Sequence, residues 1–283
     1  MTELPDIQHN QEPEHKFYIN KVGVQSVRSP FILQTRYGSF HELVAKITMT
    51  TDLAPSIKGI SMSKLIRTLK PYLEKPLKHP LIREILQRLR VEVETNSANS
   101  SIRFEFQLPV IKVSPISKHT FPEYYDCAFE GSLVGEKFRF FQKVIVQYAS
   151  YCPCSASLCE HLKQNSKLGF PHAQRSFAEV LVEVIPPELL WLEDIIDLVE
   201  DAVKTIPYPI LQRVDEQELA RIAAQNAMFV EDAIRRIIAN LNSCSKIYDW
   251  IVKCCHEESI HKHEAIAVAW KGINGGFDDK KFL

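Results

Sequence analysis

Two thiols flank one proline in Tyr151-Cys152-Pro153-Cys154-Ser155, and an imidazole follows in Pro171-His172-Ala173-Gln174-Arg175-Ser176. Residues 138–148, just ahead of the first thiol, are dense in Phe, Val, Ile and Tyr, the composition of a strand. Proline has no N–H for a sheet ladder, so pairing should stop at Pro153 and deliver a thiol to a fixed point at the strand end. One thiolate, one imidazole and a carboxylate would hold a metal ion and leave a fourth position open, the arrangement of a catalytic site. A closed structural zinc site needs two clear ligand pairs, and the second is missing here. The other reading of Cys152 and Cys154 is two small residues buried beside a turn. Cys159 and His161 fall in the intervening stretch, which reads as an extended polar loop facing solvent. Cys127, Cys244, Cys254 and Cys255 sit in or beside strand patterns, where they fill core.

A second cluster is Glu257-Glu258-Ser259-Ile260-His261-Lys262-His263. Read as part of a strand over 261–270, it points His261 and His263 the same way, because side chains alternate with a period of two. Imidazoles beside carboxylates suit general acid–base work near neutral pH. The alternative is a solvated polar turn between two strands. Asp215-Glu216 and Glu231-Asp232 open helical stretches, where the helix dipole favours acidic side chains whatever else they do.

The elements that must position these groups can be read from periodicity. Residues 1–16 are polar, with Pro5 and Pro13, and read as a mobile arm. Strands are expected over 17–27 and 40–49. Two helices follow: one capped by Ser61 or Ser63 and limited by Pro71, the other opened by His79-Pro80. A polar break at 96–101 precedes strands over 102–108, 124–130 and 136–148, with Gly131 and Gly135 between the last two. The second half repeats the order: a strand over 177–185 stopped by Pro186-Pro187, helices over about 189–199, 216–227 and 229–241, then strands over 247–255 and 261–270. Antiparallel strands enclosing helix pairs, twice over, predict an α+β fold with helices on one sheet face. The catalytic region is expected over 17–283, with a first module of about 17–132 and a second of about 133–271. No Gly-x-Gly-x-x-Gly or Walker-type loop supports a Rossmann or P-loop reading.

The 283 residues are 45% hydrophobic and 24% charged, which suits a globular protein with a full core. A formal charge of −1 implies no nucleic-acid partner. No apolar run reaches the roughly 18–20 residues of a membrane span. The first residues lack the pattern of a signal peptide, so the cytoplasm is the expected location. Seven cysteines, an odd number, argue for reduced thiols rather than a disulfide framework.

With these residues in view, the sequence resembles the type IB GTP cyclohydrolase I family. The resemblance covers most of the chain, from Leu4-Pro5-Asp6-Ile7-Gln8 and Ile19-Asn20-Lys21-Val22-Gly23-Val24 through Lys58-Gly59 and Met62-Ser63. It is most specific at Cys152-Pro153-Cys154-Ser155, His172-Ala173-Gln174-Arg175-Ser176, Asp215-Glu216, Phe229-Val230-Glu231-Asp232 and Glu258-Ser259-Ile260-His261-Lys262-His263. The resemblance implies a tunnelling fold of two modules that assembles into a barrel, as a homo-oligomer and specifically a tetramer, with active sites at subunit interfaces. It implies hydrolysis of GTP to 7,8-dihydroneopterin triphosphate and formate. It implies a divalent metal, zinc, manganese or iron(II), on Cys152, His172 and Glu216, with Cys152 also part of the catalytic group. Glu231 would anchor the guanine ring, and Glu258, His261 and His263 would move protons. Lys21, Arg28, Lys64 and Arg175 are the candidate cations for the triphosphate. Two departures stand out: the stretch between Cys154 and His172 is longer than the family pattern, and Ser61 stands where that pattern has a histidine. The alternatives are a nitrile reductase of the same fold with a cysteine nucleophile, or a non-catalytic metal-binding assembly protein.

Overall fold

Alternating apolar and polar runs become eight strands, and stretches with a 3.6-residue apolar stripe become the helices between them. The computed structural model describes residues 7–93, 97–273 and 275–278. In chain order the elements are α1 (Ile7–Asn10), β1 (Ile19–Gln34), β2 (Phe40–Leu53), α2 (Met62–Leu69), α3 (His79–Glu92), β3 (Asn99–Val113), β4 (Thr120–Val134), β5 (Lys137–Tyr151), α4 (Pro153–Gln164), β6 (Ala173–Val184), α5 (Leu192–Val203), α6 (Arg213–Gln225), α7 (Val230–Ser243), β7 (Ile247–Glu257) and β8 (Ala265–Trp270). The strands form one sheet in the order β1 to β8, and no described helix is long and apolar enough to cross a membrane.

The chain divides into two compact units: residues 1–107 with 128–141, and residues 108–127 with 142–283. The boundaries fall inside β3, β4 and β5, strands of 15 residues each, and so differ from the single cut near 132 that the sequence suggests.

In the first unit, β1 pairs with β2 and β2 with β3, all antiparallel. The imperfect alternation of the first strand has a physical cause: its register shifts between Val24 and Val27, where Ser26 takes a positive φ of 63°. An inserted residue of this kind reverses which face the later side chains occupy. Beyond it Phe31 and Leu33 are buried, as are Ala45, Ile47 and Met49 of β2. The stripes of α2 (Leu65, Leu69) and α3 (Ile82, Ile85, Leu86, Leu89) close this core. Ser61 precedes α2 as its cap through its backbone carbonyl, which accepts from Lys64 and Leu65; its hydroxyl makes no capping bond. Gly131 does not break β4, contrary to the strand end expected there. A Cβ on it would lie 2.3 Å from Cγ2 of Ile82, so a glycine here lets α3 lie directly on the strand. Of the expected mobile arm, residues 1–6 lie outside the described residues, as does Asn96 of the polar break. Gln8 donates to the Ile60 carbonyl at 2.8 Å and Lys58 to Gln11 at 2.6 Å, which ties residues 7–11 to the Lys58-Gly59 stretch.

In the second unit, β6 pairs with β7 and β7 with β8, again antiparallel. Buried Ala178, Val180 and Val182 of β6 and Val252 and Cys254 of β7 face the core. The stripes of α5 (Leu192, Ile195, Ile196, Val199) and α7 (Ala233, Ile234, Ile237, Leu241) are buried there too.

Candidate active site

Antiparallel pairing gathers the chemistry at one end of the second unit. β5 ends there at Tyr151, β6 begins at Ala173, β7 ends at Glu257 and β8 begins at Ala265. The pairs Arg175–Glu257 and His256–Ala265 fix the register of the last three strands at that end. All seven predicted site residues belong to this unit.

Pairing in β5 does stop before Pro153, but the chain then turns directly into a helix. Pro153 occupies the first turn of α4 and Cys152 is its N-cap. Proline suits that position because the N–H it lacks would have no partner anyway. The loop expected around Cys159 and His161 is therefore replaced by α4, with Cys159 buried and His161 exposed. After α4 the chain folds back. Gly169 allows it, since a Cβ there would meet Leu162 at 2.8 Å and the Cys159 sulfur at 3.2 Å. That return brings His172 beside Cys152: the Cys152 N–H donates to the His172 carbonyl at 3.4 Å, and the Ser155 hydroxyl accepts from the His172 N–H at 3.3 Å. Both residues are half-buried. His172 Nδ1 lies 3.2 Å from the Ser259 hydroxyl, which leaves Nε2 as the nitrogen open to a ligand.

His261 and His263 lie in the bend between β7 and β8, not in a strand. Seven polar residues among the eight from Glu257 to Glu264 give no apolar face to bury, and the β7–β8 ladder ends at His256–Ala265. The bend still brings the two imidazoles together, stacked with centroids 4.8 Å apart and planes 12° from parallel. Both are exposed.

Beneath the bend is a buried polar cluster that the sequence did not suggest. His256 is 1% exposed, and its Nε2 lies 2.9 Å from the Tyr148 hydroxyl. Its Nδ1 lies 3.2 Å from Ser150 Oγ and 3.3 Å from Gln174 Nε2. Ser150 in turn meets Ser176 at 2.8 Å. Gln174 Nε2 also donates to Glu258 Oε1 at 3.1 Å. An amide nitrogen only donates and a carboxylate only accepts, so the amide orientation follows, and His256 Nδ1 must be the accepting nitrogen. The imidazole proton then sits on Nε2, facing Tyr148. Burial pushes the His256 pKa down to about 4, against the opposing pull of the Glu258 and Glu231 carboxylates. That pull also means Glu231 and Glu258 both lie close enough to bear on one imidazole.

The helix starts separate capping from chemistry. Asp215 and Asp232 accept from the N–H of the residue just before their helices, Gln212 at 2.8 Å and Phe229 at 3.1 Å. The adjoining Glu216 and Glu231 stay exposed. Met228 N–H donates to the Tyr151 carbonyl at 3.0 Å, which sets the start of α7, and Glu231 on it, beside the end of β5. A thiol, an imidazole and nearby carboxylates are the right donor chemistry for a divalent ion, and the fold sets Cys152 and His172 side by side through their backbones. Glu216 does not join them: among the described residues no three His, Cys, Asp or Glu side chains are grouped to hold a metal. Glu216 instead shares the face of α6 that carries Leu219 and Ala223. Those two line a cavity of about 380 Å³ with Tyr148, Tyr151, Gln174 and Arg175.

A family model described as type I GTP cyclohydrolase folE2 matches residues 4–267. The chain belongs to this family. GTP cyclohydrolase FolE2 of Cereibacter sphaeroides is 35% identical over 273 residues, 95% of this chain and 76% of that protein. The same enzyme of Paracoccus denitrificans is 34% identical over 95% of this chain and 84% of its own length. The Arthrobacter globiformis uricase structure superposes over 93% of this chain and 96% of its own with a TM-score of 0.56 at 7% identity. Bacillus sp. TB-90 urate oxidase gives 0.52 over 90% and 99%. Those two likenesses bear on fold alone, and the fold is the α+β tunnelling fold.

For a FolE2 family member, the residues that sequence reasoning missed are His256, Gln174, Ser150 and Ser176. A signal existed. Along β6, Gln174 and Ser176 fall on the face that continues inward as Ala178, Val180 and Val182, and polar residues at inward strand positions need partners. Of the four candidate phosphate-binding cations, only Arg175 belongs to the second unit, and it lines the cavity.

Proposed function

We propose that the chain, as a type IB enzyme of its family, converts GTP and water to 7,8-dihydroneopterin triphosphate and formate. Carbon 8 of guanine must accept water, the imidazole ring must open and the formyl group must leave. The cavity beside Tyr148, Gln174 and Arg175 has room for a purine, and Arg175 offers charge to a phosphate. Glu231, on the first turn of α7, would receive the guanine N–H groups. Cys152, with His172 held by Ser259, would bind a divalent ion (zinc, manganese or iron(II)), with Glu216 as the third ligand. Such an ion, when bound, lowers the pKa of water. Glu258 and the stacked His261–His263 pair would move protons to and from the ring nitrogens, because they face the same end of the unit. We further propose a homotetramer, in which β1 and β8, the first and last strands of the sheet, meet partner strands.

The observation that carries this reading is the join between Cys152 and His172, two residues 20 apart in sequence held backbone to backbone at 3.4 Å. The test is formate release from GTP with and without a chelator, with product mass read alongside. Chelation should abolish formate release, and Cys152→Ala should lose bound metal and turnover together. A fully active Cys152→Ala protein would sink the site assignment, and a product other than the triphosphate would revise the reaction.

A further inference from the structure

The buried cluster under the β7–β8 bend is expensive for a core. Gln174 is 7% exposed on the face of β6 that continues as Ser176, Ala178 and Val180, yet its amide oxygen has no hydrogen-bond partner among the described residues. Leaving a buried acceptor unpaired carries a desolvation penalty that an apolar residue there would avoid. The other end of the same amide is committed twice, to His256 Nδ1 at 3.3 Å and to Glu258 Oε1 at 3.1 Å. His256 cannot turn to release it, because Tyr148 holds Nε2 at 2.9 Å and Ser150 shares Nδ1 at 3.2 Å. Glu258 is the first residue after β7 and lies outside any ladder. Its carboxylate therefore takes its direction from Gln174.

We infer that Gln174, locked by His256, is the positioning residue that aims the Glu258 carboxylate at the substrate. This rests on the reading of Glu258 as a proton-transfer group. His256, Tyr148 and Ser150 act one step further back, by fixing the amide. A charge-bearing hydrogen bond sets direction as well as distance, and catalysis responds steeply to misplacement of a reacting group by about 1 Å.

The experiment uses the full chain loaded with manganese, with GTP as substrate and formate release as the readout. Gln174→Met keeps the shape and removes the donor; it should lower kcat about ten- to a hundredfold, with KM for GTP changed less than about threefold. His256→Leu should do the same. His256→Asn keeps an oxygen where Nδ1 stands and should retain kcat within about threefold of wild type, a rescue that simple loss of packing would not show. Glu258→Gln is run beside them. If Glu258→Gln keeps wild-type kcat, the reading of Glu258 fails. If Glu258→Gln loses kcat while Gln174→Met does not, the positioning inference is overturned and that reading survives. Adding Gln174→Met to Glu258→Gln should cost nothing further, since both act through one carboxylate; a full additional loss overturns the inference as well. Should His256→Leu fail to fold, Gln174→Met against His256→Asn decides the matter.

Discussion

Lowering the pH from 7 to 5 should destabilise the protein through His256, and the size of the effect follows from its burial. The imidazole is 1% exposed and its pKa is pushed down from 6.5 to about 4. Between those values the unfolded chain binds a proton here that the folded chain refuses. Stability from this group is therefore fully present above about 6.5 and falls as the pH drops towards 4. At pH 5 the unfolded imidazole is mostly charged and the folded one mostly neutral, which costs about 2 kcal/mol relative to pH 7. For a chain of this length that is a fall in Tm of roughly 4–6 °C. Asp52 and Asp215, both held below the usual carboxylate range, lose their contribution only at lower pH. Burial lowers the His79 pKa too, so it contributes with the same sign. His256→Asn isolates the His256 part, because asparagine accepts the same hydrogen bond and does not titrate. Calorimetric Tm should be measured for wild type and variant at pH 7 and pH 5, at one protein concentration. Wild type should lose several degrees more than the variant. Parallel losses in the two proteins would refute the assignment of a neutral buried imidazole.

Two further substitutions test the packing that holds the site and its scaffold. Gly131→Ala would place a methyl 2.3 Å from Ile82 Cγ2, and overpacking of this kind costs about 1–3 kcal/mol. Its Tm should fall by several degrees, while Gly59→Ala, whose nearest atom is 3.8 Å away, should leave Tm nearly unchanged. Asp215→Asn should lower Tm more than Asp232→Asn: Asp215 accepts from Ile116, Ser117 and Gln212, whereas Asp232 caps one N–H and is half-exposed. An equal response would mean that these bonds do not hold the 114–119 turn to α6.

What could be read from sequence was whatever a local rule controls. Proline ended β5 at the Cys152 boundary, and alternation put Ala45, Ile47 and Met49 on the buried side of β2. The segment from 153 to 164 defeated the same reasoning. Its polar composition suggested a loop, yet Pro153 at the first turn and the face carrying Cys159 were enough for a helix once the chain at Gly169 could cover it. His261 and His263 come together by a route that strand periodicity does not describe. A strand would have aligned them by its period, but a bend stacked them instead. His256 left almost no trace, because its partners Tyr148, Ser150 and Gln174 lie 108, 106 and 82 residues away along the chain. Such partners become visible only through strand pairing.

The acidic pairs at the helix starts show how a structural residue can orient a chemical one. Both pairs looked alike in sequence, and the dipole alone would favour either. In the fold the aspartate takes the third position of its helix in each case, and its bond to the preceding N–H fixes how the helix is turned about its axis. The glutamates follow in opposite order, Asp215-Glu216 but Glu231-Asp232. Glu231 therefore falls one residue before its cap, on the first turn with the free N–H groups, where a substrate bound at the end of β5 would meet it. Glu216 falls one residue after its cap, and at about 100° per residue the two glutamates leave their helices on nearly opposite sides. That rotation puts Glu216 on the face of α6 that carries Leu219 and Ala223, two residues of a cavity wall that also includes Tyr151 and Ala173, the neighbours of Cys152 and His172. Asp215, which ties the start of α6 to the 114–119 turn, holds that face of the helix in place.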